Sequence, residues 1–417
     1  QEGADLIVAL SHSGIEHNVH TNTREHASLS LAAVDGIDVI ITGHSHQVFP
    51  SHDFEGIPNV DATAGLLHGK PATMAGFGGS HVGVVDLSLQ QGASGWSVNM
   101  ATAKSLPVPR SNRMASQAER KILAITKDAH ERTLNYIRKA VGRTNQPLDS
   151  HFAMLQPASS VRFVATAQHQ FLRKKLLDTQ HAALPFLSAA APFKMGGRGG
   201  PDNFADVPAG DIAIRNVADL YGYPNMIRAL AVDTTQLLDW LEFSACIFNQ
   251  IEPGGTDQPL IDPTFPSYNF DSICGLSYEI DISKPARFTK SGEIKNPDAQ
   301  RISNVTWNGT PVDRSQIFVV ATNDYRASRS GTYPGADAGE LVFSAPEALQ
   351  DILVKFLQET KPSRSLMPPP WALAPCSGAS VYFDTSVKAL ESATALVLGA
   401  VPQGQTDHGF MRFRKVL

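Results

Sequence analysis

Residues 6–14 read LIVALSHSG, and residues 38–46 read DVIITGHSH. Each segment is a short aliphatic run followed by histidine, and such runs are typical of strands covered on both faces. Between them, residues 23–34 have helical spacing that ends at Asp35-Gly36. A strand, a helix and a second parallel strand form a right-handed β-α-β unit, whose functional loops leave the carboxyl ends of the strands. We therefore expect His12, His44 and His46 to share one crevice.

The three histidines are candidate metal ligands. Neutral imidazole binds transition metals, and two histidines two residues apart beyond a strand can point to different ions of a pair. A pair of metals needs about seven or eight protein ligands with a bridging carboxylate, so this stretch supplies only part of a site. The alternative is a polar loop of hydrogen-bonded histidines. Asp128-Ala129-His130, an Asp-x-His triplet within the predicted connector helix, is expected to be solvated helix surface.

Length and composition bound the class of protein. The 417 residues are enough for two or three domains. A net charge of −5 with 18% charged residues fits an ordinary soluble protein and gives no reason to expect a nucleic acid polymer or a membrane as partner. No apolar run approaches the roughly 20 residues of a membrane span. Three widely spaced cysteines permit a disulfide but do not argue for one.

The chain divides into three predicted parts. Residues 1–110 are an α/β region, with a strand at His81–Leu89 and a proline-containing loop at 104–112. Residues 111–143 are a connector helix that starts at a capping box, Ser116 to Glu119, and is stopped by Gly142. Its apolar stripe is Ile122, Ile125, Ala129, Ile137 and Val141. Residues 144–417 mix helices and strands and are expected to form an α+β domain.

Two further groups of residues suggest ligand binding. Tyr268 and Phe270 precede a predicted strand and Tyr325 follows another, so aromatic rings from two loops could hold a flat ring by stacking. Core or rim packing of these rings is the alternative. The segment 191–200, APFKMGGRGG, is rich in glycine and carries Lys194 and Arg198, which suit phosphate. It is not a Walker A loop, and a plain surface loop is the alternative.

Together these segments resemble one family, the bacterial 2′,3′-cyclic-nucleotide 2′-phosphodiesterase/3′-nucleotidases of the 5′-nucleotidase superfamily. The residues that carry the resemblance are ALSHSG at 9–14, GHSH at 43–46, AAAPFK at 189–194, PAGDIAIRN at 208–216, ADLY at 218–221, FNQI at 248–251, YNFD at 268–271 and ATNDYRA at 321–327. They follow the family order along essentially the whole chain, so the match is far more specific than any one motif.

The resemblance implies the C-terminal half of a metallophosphoesterase sandwich, a connector helix and a nucleotide-binding C-terminal domain. His12 and His44 would ligate one ion of a divalent pair (Mn, Co, Zn or similar), and His46 the other. Tyr268 and Tyr325 would clamp the base, with Phe270 as the fallback. Lys194, Arg198 and Asn225 would lie on the phosphate or ribose side. Family members bind nucleotides and nucleosides, and they are exported to the periplasm.

The chain departs from the family pattern at its start. The family's Asp-x-His, Gly-Asp and Gly-Asn-His segments, which include the catalytic His and its Asp, have no counterpart before His12. We therefore expect an N-terminally truncated fragment that binds nucleosides, hydrolyses little and possesses no complete metal site. The alternatives are a non-catalytic nucleoside-binding module and a 5′-nucleotidase or nucleotide-sugar hydrolase.

Overall fold

The structure is a computed structural model that describes residues 3–15, 26–93, 95–109, 116–328, 333–359 and 365–417, without the side chain of Arg198. The chain forms two compact units, Gln1–Ile122 and Leu123–Leu417. The boundary between them falls inside the helix Gln117–Ile137. The predicted bounds 1–110, 111–143 and 144–417 stay predictions.

The first unit contains a small mixed sheet. Its strands are Val8–Ser11, Val39–Thr42, Val48–Phe49, Val60–Asp61, Leu66–Leu67 and Lys70–Ala75. The first two strands are parallel, with Val8 paired to Val39 and Ser11 to Thr42, as the β-α-β prediction requires. The core beneath them consists of Ile15, Leu29, Ala32, Ile40, Phe49, Phe54, Leu67, Ala72 and Met74.

Two details of this unit differ from the expectations. The strand Val8–Ser11 is not covered on both faces, since Leu10 is 81% exposed. It is the edge strand of the described sheet, with a neighbouring strand on one side only. The helix is shorter than predicted and spans Ser28–Ala32. The first three residues of the predicted helix, 23–25, lie outside the described residues.

A long antiparallel ribbon follows. Its strands are His81–Gly92 and Gly95–Pro107, with His81 paired to Pro107. The predicted strand at His81–Leu89 is thus confirmed. The prediction of a loop starting at Lys104 is wrong for residues 104–107, because they belong to the strand Gly95–Pro107 and pair with His81–Gly92.

The helix Gln117–Ile137 begins at the predicted capping box. The backbone N–H of Glu119 donates to Oγ of Ser116 at 3.1 Å, and the Glu119 carboxylate accepts from the backbone N–H of Ser116. The helix is shorter than predicted, because Val141 and Gly142 lie in the strand Ala140–Thr144 and pair with Gly210–Ala213. None of the helix's described residues is buried, and Ile125 is 82% exposed.

The second unit is built on a nine-stranded mixed sheet. In spatial order its strands are Thr310–Pro311, Ile302–Trp307, Leu276–Ile280, Ser272–Cys274, Phe186–Ala190, Ile317–Asn323, Met226–Asp233 and Glu340–Ala348, and Trp371–Leu373 adds to Leu276–Ile280. The predicted turn at Asn308-Gly309 is confirmed, with positive φ at both residues (50° and 79°), as a two-residue hairpin requires.

Helices and smaller sheets complete this unit. The helices are Ser159–Leu176, Ile214–Leu220, Thr234–Ser244, Asp324–Ala327, Leu349–Glu359 and Ala393–Leu398. A four-stranded sheet contains Gln258–Pro259, Ser380–Thr385, Met411–Val416 and Val401–Gln405, and a two-stranded pair joins Leu148–Asp149 to Asp206–Val207. The predicted helices at 161–177 and 235–246 are confirmed within two residues at each end.

The three cysteines lie inside the second unit. Cys246, Cys274 and Cys376 are buried and free, so the disulfide that the sequence permitted does not form here. Burial raises the pKa of Cys246 to about 11 and that of Cys274 to about 12. Among the residues that the structure describes, no helix has the length and apolar character needed to cross a membrane.

Candidate functional sites in the two units

In the first unit, two of the predicted histidines come together at adjacent strand ends. His12 follows Ser11 and His44 follows Thr42 by two residues, and Ser11 and Thr42 are register partners. The ring centroids of His12 and His44 are 5.3 Å apart, with an angle of 68° between the planes. Two imidazoles on one ion, each nitrogen about 2.0–2.1 Å from it, have centroids roughly 5 Å apart. The spacing therefore fits two ligands of one ion.

The backbone at this loop is strained. His44 has φ of 67° and His46 has φ of 58°, both in the left-handed region that glycine favours. Each such residue costs about 1–2 kcal/mol, and this kind of strain concentrates at functional sites. The strain is consistent with a loop whose side chains are held for a purpose other than stability.

A polar network fixes the two strand ends. Oγ of Ser28 donates to the carbonyl of Ser13 at 2.8 Å and lies 2.9 Å from Oγ1 of Thr42. Oγ of Ser13 accepts a hydrogen bond from the backbone N–H of Ala27 at 2.7 Å. The carbonyl of Ser13 accepts one from the backbone N–H of Gly43 at 3.2 Å. Because these bonds join the residues after both strands, they hold the histidine loops in a set relation.

The third predicted histidine, His46, packs against an aromatic ring, and a further histidine lies near His44. The ring of His46 stacks on Phe77, with centroids 5.1 Å apart and 17° between planes. The ring of His26 lies 5.8 Å from that of His44. A Cβ at Gly14 would lie 2.5 Å from Nδ1 of His26, so glycine is needed there. The sequence pattern predicted His26 to lie in a helix, whereas it precedes the helix Ser28–Ala32. The one sequence feature that relates to this contact is Gly14, where the close approach of His26 leaves no room for a side chain.

The fit to a metal is partial. Within the described ranges, no group of three or more His, Cys, Asp or Glu side chains is arranged to hold a metal ion. The described residues therefore offer a pair of imidazoles, His12 and His44, rather than a full set of ligands.

In the second unit, four predicted segments meet at one edge of the large sheet. The strands Phe186–Ala190 and Ile317–Asn323 are parallel neighbours, so the segments that follow them, with Lys194 and Tyr325, leave from the same edge. Ser272–Cys274 is antiparallel, with Ser272 paired to Ala190, so Tyr268 precedes its strand at that edge. Met226–Asp233 is also antiparallel, with Ile227 paired to Asn323, which puts Asn225 there too.

The two tyrosines are in contact. The ring centroids of Tyr268 and Tyr325 are 6.5 Å apart and the planes are nearly perpendicular, at 88°. Tyr325 is 39% exposed and Tyr268 is half-buried. A flat ring between two parallel rings needs roughly 7 Å between the outer planes, twice the best carbon–carbon separation. The centroid separation is below that value and the rings stand edge to face, so one ring must turn and the gap must widen before a base can lie between them.

Phe270 does not lie with these rings, which differs from its expected role as the alternative stacking residue. It is 2% exposed, and its ring packs edge-on against Phe248 and Trp371 at 5.3 and 5.6 Å. In an extended segment residues two positions apart face the same side. The short helical turn Ser267–Asn269 interrupts that pattern, so Phe270 faces the core while Tyr268 stays half-buried. Phe270 is therefore not available as a stacking residue, and Tyr268 and Tyr325 remain the candidates.

A buried ion pair joins the two tyrosine loops. Nε of Arg326 donates to Oδ2 of Asp271 at 2.9 Å, and the two side chains are 4% and 6% exposed. Nη2 of Arg326 donates to the carbonyl of Tyr268 at 2.7 Å, and Nη1 to Oδ1 of Asn269 at 3.2 Å. Burial opposes the charge of Arg326, but the Asp271 carboxylate raises its pKa above the ordinary value. Asp271 and Arg326 both stand in motifs that carry the resemblance, YNFD and ATNDYRA, but only the aromatic residues of these motifs were predicted as site residues.

Two aromatic residues support this pair. The ring of Tyr333 lies 3.7 Å from Cζ of Arg326, and its hydroxyl donates to the carbonyl of Asn269 at 2.6 Å. Nε1 of Trp240 donates to Oδ2 of Asp271 at 2.9 Å. The charge of the pair is thus fully hydrogen-bonded, which a buried ion pair needs in order to be tolerated.

The remaining predicted residues are placed as follows. Nζ of Lys194 lies 2.6 Å from Oδ1 of Asp219, so its charge is already neutralised. Arg198 lies in the short helical turn Gly197–Gly199, and its side chain is outside the described residues. Asn225 is half-buried, and its carbonyl accepts from the backbone N–H of Leu349 at 2.9 Å.

Comparison with known proteins relates part of this chain to the 5′-nucleotidases. Residues 140–337 match the family described as 5′-nucleotidase, C-terminal domain, and they belong to it. A Staphylococcus aureus crystal structure titled as a 5′-nucleotidase has a TM-score of 0.59 at 20% identity, covering 89% of this chain and 64% of that one. At that identity the likeness concerns the fold alone, and it confirms the predicted fold class.

Curated relatives carry the resemblance further. The chain is 37% identical over 399 residues to the 2′,3′-cyclic-nucleotide 2′-phosphodiesterase/3′-nucleotidase of Salmonella typhimurium, which covers 93% of this chain and 62% of that protein. It is 38% identical over 390 residues to the trifunctional nucleotide phosphoesterase protein YfkN of Bacillus subtilis, covering 93% of this chain and 26% of that protein. The resemblance predicted from the sequence is confirmed, and the chain spans less than two thirds of these relatives.

Proposed function

We propose that the chain is the base-binding part, with some of the metal ligands, of a metal-dependent phosphohydrolase. The parent would cleave 2′,3′-cyclic nucleotides to 3′-nucleotides and then 3′-nucleotides to nucleosides and phosphate. The names of the relatives support this substrate class. The observation that carries the proposal is the contact of Tyr268 and Tyr325, 6.5 Å apart, at the sheet edge where Lys194 and Asn225 also lie.

The chain's own residues would bind and orient the substrate. A purine or pyrimidine would stack on a tyrosine ring, and each stacked base contributes about 1–3 kcal/mol. The clamp does not touch the bond that breaks, so one clamp serves both the cyclic ester and the 3′-monoester, which share base and ribose. Holding the substrate in place can lower the barrier by about 7–11 kcal/mol at most.

His12 and His44 would hold a divalent ion from the first unit. Bound metals in such sites supply a Lewis acid and a water of lowered pKa. Two imidazoles, without a described cluster of three or more ligands, support a chain that binds nucleosides and hydrolyses little by itself. We also propose that the parent is exported to the periplasm, as the family resemblance implies; cell fractionation with a specific antibody tests this, and an exclusively cytoplasmic signal would overturn it.

Binding and turnover should be measured together. We expect adenosine to bind in isothermal titration with the same affinity in chelator and in Mn²⁺, because the clamp and the histidines lie in different units. We expect little hydrolysis of 2′,3′-cyclic AMP or 3′-AMP with Mn²⁺, Co²⁺ or Zn²⁺. Absence of adenosine binding would overturn the base-binding proposal. Rapid hydrolysis would show that the chain is catalytically sufficient, and preference for 5′-AMP would favour a 5′-nucleotidase instead.

A further inference from the structure

One guanidinium group contacts both loops that carry the tyrosines. Arg326 directly follows Tyr325 in the helix Asp324–Ala327, and its Nη2 donates to the carbonyl of Tyr268 at 2.7 Å. Its Cζ lies 5.9 Å from the centroid of the Tyr325 ring. Tyr268 and Tyr325 are 57 residues apart in the chain, so the relative position of their loops is not set by local geometry.

The first loop is bound to this group at three of four consecutive residues. Tyr268 offers its carbonyl, Asn269 its Oδ1 at 3.2 Å and Asp271 its carboxylate at 2.9 Å. The second loop is bound through the backbone, since Oδ1 of Asn323 accepts from the backbone N–H of Arg326 at 2.8 Å. Moving Arg326 would therefore move one tyrosine relative to the other.

The chemistry at this position requires arginine. A guanidinium has donors fixed in a planar fork, which here serve a carboxylate, a carbonyl and an amide oxygen while its face rests on Tyr333 at 3.7 Å. Lysine keeps the charge but has a single point of donation, so it cannot satisfy all three acceptors in these directions.

We propose that Arg326, held by Asp271 and Tyr333, is the positioning residue that sets the distance and angle between Tyr268 and Tyr325 and thereby tunes base stacking. This inference rests on the proposed function, because it presumes that the tyrosines bind a base. Arg326 itself is 4% exposed at its side chain and would act through the tyrosines rather than on the ligand.

The chain contains a matched control for this arrangement. Arg412 makes a two-bond pair with Asp384, at 2.7 and 2.9 Å, and its Cζ lies 4.3 Å from the Tyr382 ring. This pair has the same groups but lies in the four-stranded sheet, where its side chains are 41% and 35% exposed. Its described contacts are with Asp384 and Tyr382 and not with the tyrosine loops. Arg412→Lys therefore removes a similar fork without touching the clamp.

The probe is 2-aminopurine riboside, whose fluorescence is quenched when its base stacks on an aromatic ring. We expect wild-type protein and Arg412→Lys to bind and quench equally. Arg326→Lys should lose about 5-fold to 150-fold in affinity, the range for loss of a stacked contact, and its bound probe should be less quenched. The inference would be overturned if Arg326→Lys bound and quenched the probe like wild type. It would also be overturned if Arg412→Lys lost as much affinity and quenching as Arg326→Lys.

Arg326→Lys removes buried hydrogen bonds, so a milder variant provides a second test. Tyr333→Phe removes the hydroxyl, which donates to the carbonyl of Asn269 at 2.6 Å and lies 3.0 Å from Oγ of Ser244, and it keeps the ring against Arg326. We expect about 2-fold to 10-fold weaker binding, the effect of losing the hydrogen bond to the Tyr268 loop, with reduced quenching. Unchanged quenching in a folded Tyr333→Phe protein would contradict the positioning role. If wild-type protein does not bind the probe, the proposed function fails rather than this inference.

Discussion

The ring of His44 stands edge-on to the ring of His12, with centroids 5.3 Å apart, because the strands that precede them are parallel and Ser11 pairs with Thr42. The two side chains come from segments separated by about one β-α-β unit. Their proximity follows from the handedness and register of that unit rather than from local sequence. The pair is therefore sensitive to changes in either strand.

Removing either histidine should weaken metal binding. For His12→Ala and His44→Ala, we expect at least about a 10-fold loss of Zn²⁺ affinity, since even outer-shell partners of metal ligands contribute that much. Competition with a coloured chelator gives the affinity. His130→Ala, on the surface of the helix Gln117–Ile137, is the control and should leave it unchanged. Equal Zn²⁺ affinity in all four proteins would refute the ligand assignment.

The strained backbone at His44 predicts an unusual order of stability. The free energy of unfolding of His44→Gly in urea should be about 1 kcal/mol higher than that of His44→Ala, because glycine adopts the left-handed conformation freely. His12 is not among the positive-φ residues, so His12→Gly should be less stable than His12→Ala. The same order at both positions in urea titrations would argue against the strain at His44.

Loss of one clamp ring should weaken nucleoside binding. Tyr325→Ala should bind adenosine about 1–3 kcal/mol more weakly in isothermal titration, because a stacking surface is removed. Tyr325→Phe keeps the ring and should bind nearly as wild type. Tyr136, 65% exposed on the helix Gln117–Ile137, provides the control substitution to alanine. Unchanged adenosine affinity in Tyr325→Ala would remove the stacking assignment.

A buried carboxyl should make the stability of the second unit depend on pH. Glu242 is 4% exposed, and burial raises its pKa in the folded state, although its Oε1 accepts from the backbone N–H of Ile302 at 2.8 Å. The folded state then binds more protons than the unfolded state above the ordinary glutamate pKa. Stability contributed by this group is full below that pKa and falls as pH rises through the folded value.

Glu242→Gln removes that titration and keeps an acceptor for Ile302. Relative to this variant, the wild-type free energy of unfolding in urea should decrease as the pH is raised from about 4.5, near the unfolded glutamate pKa. Glu279→Gln, at a half-buried position in the strand Leu276–Ile280, is the control. Parallel pH profiles for wild type and Glu242→Gln would show that the folded protein does not disfavour this charge.

Much of the local structure could be predicted because its causes are local. The capping box at Ser116 and the hairpin turn at Asn308 each depend on a few adjacent residues, and both are observed. The exposure of Leu10 could not be predicted, because an aliphatic run has the same pattern in a central strand and in an edge strand. Val141 fitted a helical stripe, yet pairing with a distant strand made it extended.

The binding residues divide in the same way. His12, His44, Tyr268 and Tyr325 could be found because each adjoins a recognisable strand. The pair of Arg326 with Asp271 could not, since the residues are 55 apart and meet only through the sheet register. Only the family resemblance linked the two loops before the fold was known.

The three buried thiols allow transient unfolding of the second unit to be followed by their chemical modification. All three cysteines of the chain lie in that unit, they are buried, and the raised pKa of Cys246 and Cys274, about 11 and about 12, leaves almost no thiolate at neutral pH. An alkylating reagent can therefore modify them only in molecules that have transiently unfolded. Mass measured against time would give the opening rate without a fluorophore, and a bound nucleoside should slow it in proportion to its occupancy.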